Sequence, residues 1–313
     1  MARRASYWLL CVVPLLAVAL AAPRGLRLPG LHQAVGGVAF VAILAAVWVL
    51  GLRAIRSSSE ERRILTLAGA PLLAPFALVA LLWVGLGPPW ASTPRENEMR
   101  YSVLLAAAIA VAAGFVALKE ALRDAGERVY STLGLGASLL AGAAYVVWVS
   151  FALGASVAEV RDGRIPAAIA SLSDVGDILL FVACVLTYVA TAAFAASMRR
   201  AGWLGPTATR AYLGMAFVAL SCIVTRGLSF PDPDAGATPW YLRPGFIAGI
   251  PAVPWIMPFL MGVGLIRRAG DEPLGTASSP ATEPVRQLPP FRELPDARVQ
   301  APLTGKSFPD LTS

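Results

Sequence analysis

The sequence predicts an all-α fold: a polytopic transmembrane helical bundle of eight spans, or seven if the first segment is a cleaved signal peptide. Three observations carry that expectation. The 313 residues are 57% hydrophobic and only 14% charged, whereas a soluble domain carries about 25% charged residues. The apolar residues come in blocks of roughly 20, the length that crosses a hydrocarbon core, and not at a helical or strand period. Short Arg-bearing connectors separate the blocks, which favours antiparallel neighbours packed as a bundle. Lipid offers the backbone no hydrogen bonds, so each block must be a helix. A barrel would need alternating polarity in segments of about ten residues, and the chain shows none.

The first block, Tyr7–Ala22, follows a basic start (Arg3, Arg4) and contains Pro14. Residues 1–23 also read as a signal peptide, because Ala19-Leu20-Ala21 is an A-x-A pattern. As a helix the block spans about 24 Å against a core of ~30 Å. The other spans that follow and the tight connector favour a retained helix. The second block, Ala34–Leu52, is almost wholly apolar. The third, Ile64–Leu86, holds Pro71 and Pro75, and the fourth, Tyr101–Ala121, ends at Lys119-Glu120. In the fifth, Tyr130–Leu153, the small residues Gly134, Ser138 and Gly142 recur every four positions and predict close helix packing within the bundle. The sixth and seventh are Asp177–Met198 and Ala211–Arg226. The eighth, Phe246–Ile266, follows Gly245 and contains Gly249 and the prolines Pro251, Pro254 and Pro258, which predict kinks. Residues 1–268 thus form the transmembrane domain. Residues 269–313 carry eight prolines and no apolar periodicity, the composition of a disordered cytoplasmic tail.

The formal charge is +7, from 24 Arg, 2 Lys and 19 acidic residues. The arginines flank the apolar blocks and form no continuous stripe, so anionic lipid headgroups, not nucleic acid, are the expected partner. Counting Lys and Arg, one side of the predicted topology holds 14 and the other 8. The richer side is expected in the cytoplasm of a cell (inner or plasma) membrane, with both termini inside. Trp90, Trp240 and Tyr241 then fall at the outer headgroup layer. The Ala/Gly/Arg bias with so little Lys suggests a high-GC bacterial genome.

Few residues carry chemistry. Mid-membrane charges are costly and usually functional, and their near-absence argues against proton pumps, carboxylate-coupled carriers and voltage sensors. His32 is the sole histidine, so neither bis-histidine haem ligation nor a zinc motif is available. Lys119 sits at a helix end and Lys306 in the tail, which leaves no lysine for a retinal Schiff base. Cys11, Cys184 and Cys222 lie in apolar segments and read as free thiols. No cofactor or metal is expected. Asp174-Val175-Gly176-Asp177 departs at 174 from the Gly-x-Gly-Asp of intramembrane aspartyl proteases, and no neighbouring span supplies a second carboxylate.

The one candidate site is a polar stripe on the sixth span. Asp174 and Asp177 are followed by Cys184, Thr187, Tyr188 and Thr191 at helical spacing. Such a stripe lines a polar path, or it packs. In the packing reading Ser171 or Ser173 caps the helix and the hydroxyls bond locally or to neighbouring helices. The composite expectation is a multi-pass membrane protein without catalytic signature. It would handle a small or lipophilic compound or serve as an accessory subunit of another membrane protein. The alternatives are an intramembrane enzyme on a lipid-like substrate and a sensor signalling through its tail. The enzyme reading requires Asp174, Asp177, Glu159, Asp162 and Arg226 to gather at one cavity.

Overall fold

A computed structural model describes residues 1–21, 29–87, 89–227 and 243–271. The expectations for Arg24, Arg27, Trp240, Tyr241, the 228–242 connector and the 272–313 tail lie outside these residues, as does the side chain of His32.

Helix is the only regular structure among the described residues. The order is α1 (Ala2–Ala21), α2 (Pro29–Leu50), α3 (Glu60–Leu86), α4 (Pro94–Asp124), α5 (Val129–Asp162), α6 (Ala167–Ala170), α7 (Ser173–Arg200), α8 (Pro206–Gly227), α9 (Pro244–Ala248) and α10 (Ile256–Asp271). A 3-10 turn, Leu52–Arg56, joins α2 to α3, and a shorter one, Pro89–Ala91, precedes α4. Five helices, α3, α4, α5, α7 and α8, contain stretches long and apolar enough to cross a membrane. In α2 the apolar stretch Ala34–Leu50 is shorter.

The helices outrun the apolar blocks because polar residues start and stop them. α4 begins seven residues before Tyr101. Thr93 accepts from the Glu96 N–H, the Glu96 carboxylate accepts from the Thr93 N–H, and Pro94 occupies the first helical position. α7 begins at Ser173 with Leu172 in the capping position, so neither serine caps it. Ser171 instead donates back to the Ala168 carbonyl at 3.0 Å. The prolines differ by context. Pro71 and Pro75 lie within an unbroken α3, whereas Phe246–Ile266 splits into α9, an irregular stretch and α10.

The α3 helix is the hub, packed on α1, α2, α4 and α10, and from α4 the packing runs on through α5 and α7 to α8. Phe115 and Phe194 stack at 4.7 Å between α4 and α7. Two small-residue faces make that packing close. A Cβ on Gly134 would meet the Phe194 ring at 2.8 Å, and one on Gly142 would meet Ala112 at 3.3 Å. The repeat on α5 is therefore filled by α7 and α4 of the same chain. At the α3–α10 crossing, a Cβ on Gly262 would lie 2.9 Å from the Leu73 nitrogen.

The exterior is where water-soluble proteins place charge, and here it is apolar. Leu15 and Phe217 are each 70% exposed, and Val41, Leu133 and Leu140 are likewise exposed. That coat, with five long apolar helices, is compatible with a membrane protein.

Candidate functional site

The site grows out of the break between α9 and α10. Proline contributes no N–H and clashes with the preceding turn. With Pro251 and Pro254 in place, Gly249–Trp255 cannot continue the α-helical ladder. It forms successive tight turns instead, Val253 N–H to Ile250 O at 2.8 Å and Trp255 N–H to Ala252 O at 3.1 Å. Such a stretch leaves carbonyls needing donors, and burial without them costs about 1–3 kcal/mol each. Neighbouring helices supply them. The Tyr188 hydroxyl donates to the Ala248 carbonyl at 3.0 Å and the Tyr145 hydroxyl to Pro251 at 3.3 Å. The Cys184 thiol reaches the Gly249 carbonyl at 3.6 Å, with Tyr145 Oη 3.4 Å from its sulfur.

Above this break lies a cavity of about 220 Å³. Its floor is Gly249, Ile250, Pro251 and Ala252. Its walls come from the end of α3 (Val79, Trp83), the start of α4 (Arg100, Tyr101, Leu104), Trp148 of α5 and Leu180 of α7. Asp177 of α7, Arg226 of α8 and Phe246 of α9 complete it. The rings are set edge to face, Tyr101 to Trp148 at 6.2 Å and Trp83 to Trp90 at 6.2 Å. The Arg226 guanidinium lies 5.4 Å from the centre of Phe246, and Arg243 stands 4.8 Å from the same ring. Asp177 and Arg226 therefore bring opposite charges to one aromatic chamber.

The third charge has a structural role. Arg100 is 2% exposed. It donates to Asn97 Oδ1 at 2.7 Å, the Gly87 carbonyl at 2.6 Å and Ser92 Oγ at 2.9 Å, and so ties the α3–α4 connection to α4.

The stripe residues divide accordingly. Asp177 is exposed and faces the cavity; Asp174 is exposed and is not part of its lining. Cys184 and Tyr188 are buried and bond to the carbonyls of the break. Thr187 and Thr191 are buried, each donating one turn back at 2.7 Å, to Ala183 and Thr187. Their hydroxyls are satisfied inside the helix. Of the five groups that the enzyme reading needs together, Asp177 and Arg226 line the cavity. Asp162 pairs with Arg161 at 2.7 Å, and Glu159 and Asp174 do not line it. Among the described residues, no three His, Cys, Asp or Glu side chains gather as a metal site.

Tyr145, Trp148 and Trp83 were not singled out from sequence, and Trp90, read there as a residue of the outer headgroup layer, lines the cavity. Aromatic residues near helix ends read equally as headgroup anchors. The available signal was the set of rings near the end of α3, near the start of α4 and within α5 that antiparallel packing brings together. Comparison with protein-family models, curated proteins and solved structures finds no match.

Proposed function

We propose that the chain is a multi-pass membrane protein that binds a small or lipophilic compound in the cavity beside the α9–α10 break. The observation that carries this reading is that Asp177 and Arg226, opposite in charge, both line an aromatic chamber floored by irregular backbone. Non-helical backbone is tolerated at membrane depth where it is buried in protein or lines a cavity. In many transporters discontinuous helices form the substrate site. The ligand class that suits the lining is an amphiphile with a charged head and an aromatic or apolar body.

The topology that goes with this reading has eight crossings, counting α1, α2 and the broken α9–α10 pair with the five long helices. The retained first crossing is supported by α1 itself. It runs from Ala2 to Ala21, about 30 Å of helix, and so matches the hydrocarbon core. Its Leu10 is completely buried against the rest of the bundle. The arginine-rich end is placed in the cytoplasm with both termini, in keeping with the positive-inside rule.

Trp83, Trp90 and Trp148 make the test direct. Purified protein in detergent is titrated with short-chain zwitterionic and anionic amphiphiles that carry a bromine quencher, and tryptophan fluorescence is followed. Saturable quenching is expected, with Asp177→Asn and Arg226→Gln each weakening it about tenfold, the equivalent of one lost charged contact of ~1.4 kcal/mol. Quenching that is linear in amphiphile, or unchanged by both substitutions, removes the reading.

A further inference from the structure

A second cavity, of about 540 Å³, opens at the opposite end of the bundle. It is lined by Arg3, Arg4, Tyr7, Trp8, Arg267 and Asp271, where the start of α1 meets the ends of α2 and α10. At ~30 Å³ per molecule it holds the volume of about 18 waters, room for a lipid headgroup.

Its three arginines are not equivalent. Arg3 is fully engaged. It donates to the Leu50 carbonyl at 3.0 and 3.2 Å and to the Arg267 carbonyl at 3.1 Å, and pairs with Asp271 at 3.1 Å. It satisfies the carbonyl ends of α2 and α10, where a cation is favoured by the helix dipoles. Arg267 is half exposed, 4.4 Å from the Tyr7 ring and 3.6 Å from Asp271. Arg4 is exposed and makes no hydrogen bond or ion pair with a described residue. Three guanidinium groups thus face a single carboxylate. Capping explains Arg3 but gives no reason for Arg4.

The apolar surface next to Arg4 supplies the rest. Trp8, Val12 and Leu15 follow it at spacings of four, four and three, so all four share one face of α1. They are exposed, Leu15 most of all at 70%. A cationic cavity therefore opens at the head of an apolar ridge, with an interfacial tryptophan between them.

The geometry points to a binding site for an anionic phospholipid, its phosphate against Arg4 and Arg267 and one acyl chain along Trp8, Val12 and Leu15. Guanidinium forks match phosphate oxygens in pairs. Basic pockets between helices at headgroup depth are where anionic lipids bind. This inference rests on the membrane reading but not on the cavity beside the α9–α10 break, so either site can fail alone.

Native mass spectrometry of the full chain from detergent tests it, with phosphatidylglycerol, phosphatidylcholine and inorganic phosphate added in separate arms. The expected spectrum contains α1 and retains phosphatidylglycerol under activation that strips phosphatidylcholine. Millimolar phosphate does not displace the lipid. Arg4→Gln weakens phosphatidylglycerol binding about fivefold and the double variant with Arg267→Gln about 25-fold. Arg63→Gln, at an exposed position of the same end outside the cavity, leaves it unchanged. Equal retention of the two lipids, displacement by phosphate, unchanged binding in both variants, or a mass lacking α1 overturns the proposal. Should the double variant elute as aggregate, Arg4→Gln alone decides, because that side chain holds nothing else in place.

Discussion

Replacing Glu127 with alanine tests how the α4–α5 hairpin is fastened to α7. Gly126, at φ 86°, ends α4 in the left-handed region that glycine adopts without strain. The Gly126 and Glu127 N–H groups then donate at 3.0 Å to the Arg123 and Leu122 carbonyls, a Schellman closure of α4. The side chain of Glu127 opens the next helix. Its carboxylate accepts from the Tyr130 N–H at 3.0 Å and the Ser131 N–H at 3.1 Å, and also from the Ser197 hydroxyl of α7. The residue is 7% exposed. Loss of helix capping costs about 1 kcal/mol. Loss of a hydrogen bond to a charged group costs about 1.5–3 kcal/mol. Glu127→Ala should therefore lower stability by about 2–4 kcal/mol at neutral pH. Burial opposes ionisation of this carboxyl, but the Ser197 hydroxyl and the Tyr130 and Ser131 N–H groups outweigh it and hold the group below the ordinary glutamate value of 4.5. The folded state thus releases this proton more readily than the unfolded state. Its stabilisation is complete above the ordinary glutamate range and is lost as pH falls through the lowered folded value. Unfolding by SDS titration of protein in mild detergent, at about pH 7 and about pH 3, should show a large gap between wild type and variant that closes in acid. A gap below ~0.5 kcal/mol at neutral pH, within the range of an ordinary surface change, refutes the reasoning. A gap of the same size at both pH values does so too.

Two pairs of substitutions probe the packing in the same assay. Tyr188→Phe strands the Ala248 carbonyl and should cost about 1–3 kcal/mol, whereas Thr191→Val, which removes a hydroxyl bonded only within its own helix, should cost about 0.5–1.5 kcal/mol, the net worth of one ordinary hydrogen bond. Gly262→Ala pushes a methyl into the backbone of α3 near Leu73 and should cost about 1–3 kcal/mol. Gly264→Ala, with nothing within 4 Å of its added methyl, should be neutral or stabilising by up to ~1 kcal/mol. Equal effects at 262 and 264 would mean that α10 does not cross α3 as closely as described.

The helical class was legible because a strand-length alternation is absent and the apolar blocks are long. The helix ends were less so. The blocks report hydrophobicity, but the ends are decided by capping. The Thr93, Pro94 and Glu96 capping box carries α4 well past its apolar part, and α7 starts without a side-chain cap although two serines flank its first turn. The proline clusters show the same limit. Two prolines in α3 are absorbed by an intact helix and two before α10 break one, and spacing alone does not separate the cases. The difference lies in three-dimensional supply. Donors from α5 and α7 stand beside the second cluster, and Tyr145 is 39 residues from Cys184 and 106 from Pro251 in the chain.

That supply also explains why the polar stripe and the cavity share an end of the bundle. A buried break requires donors at fixed heights, and α7 provides Cys184 and Tyr188 one turn apart. Once those donors hold Ala248 and Gly249, the irregular backbone above them is fixed as a floor. Trp83 near the end of α3, Tyr101 in the first turns of α4 and Trp148 within α5 close the sides. Asp177, two helical turns above Cys184 on the same stripe, is then the residue of that face that lines the cavity. On this reasoning Cys184 and Tyr188 are the part of the stripe that breaking a helix inside the bundle requires, the two threonines bond within α7, and Asp177 is the part that lines the cavity with Arg226. Binding should therefore fall in Tyr188→Phe as well, despite that hydroxyl lying outside the lining, because the floor loses its anchor.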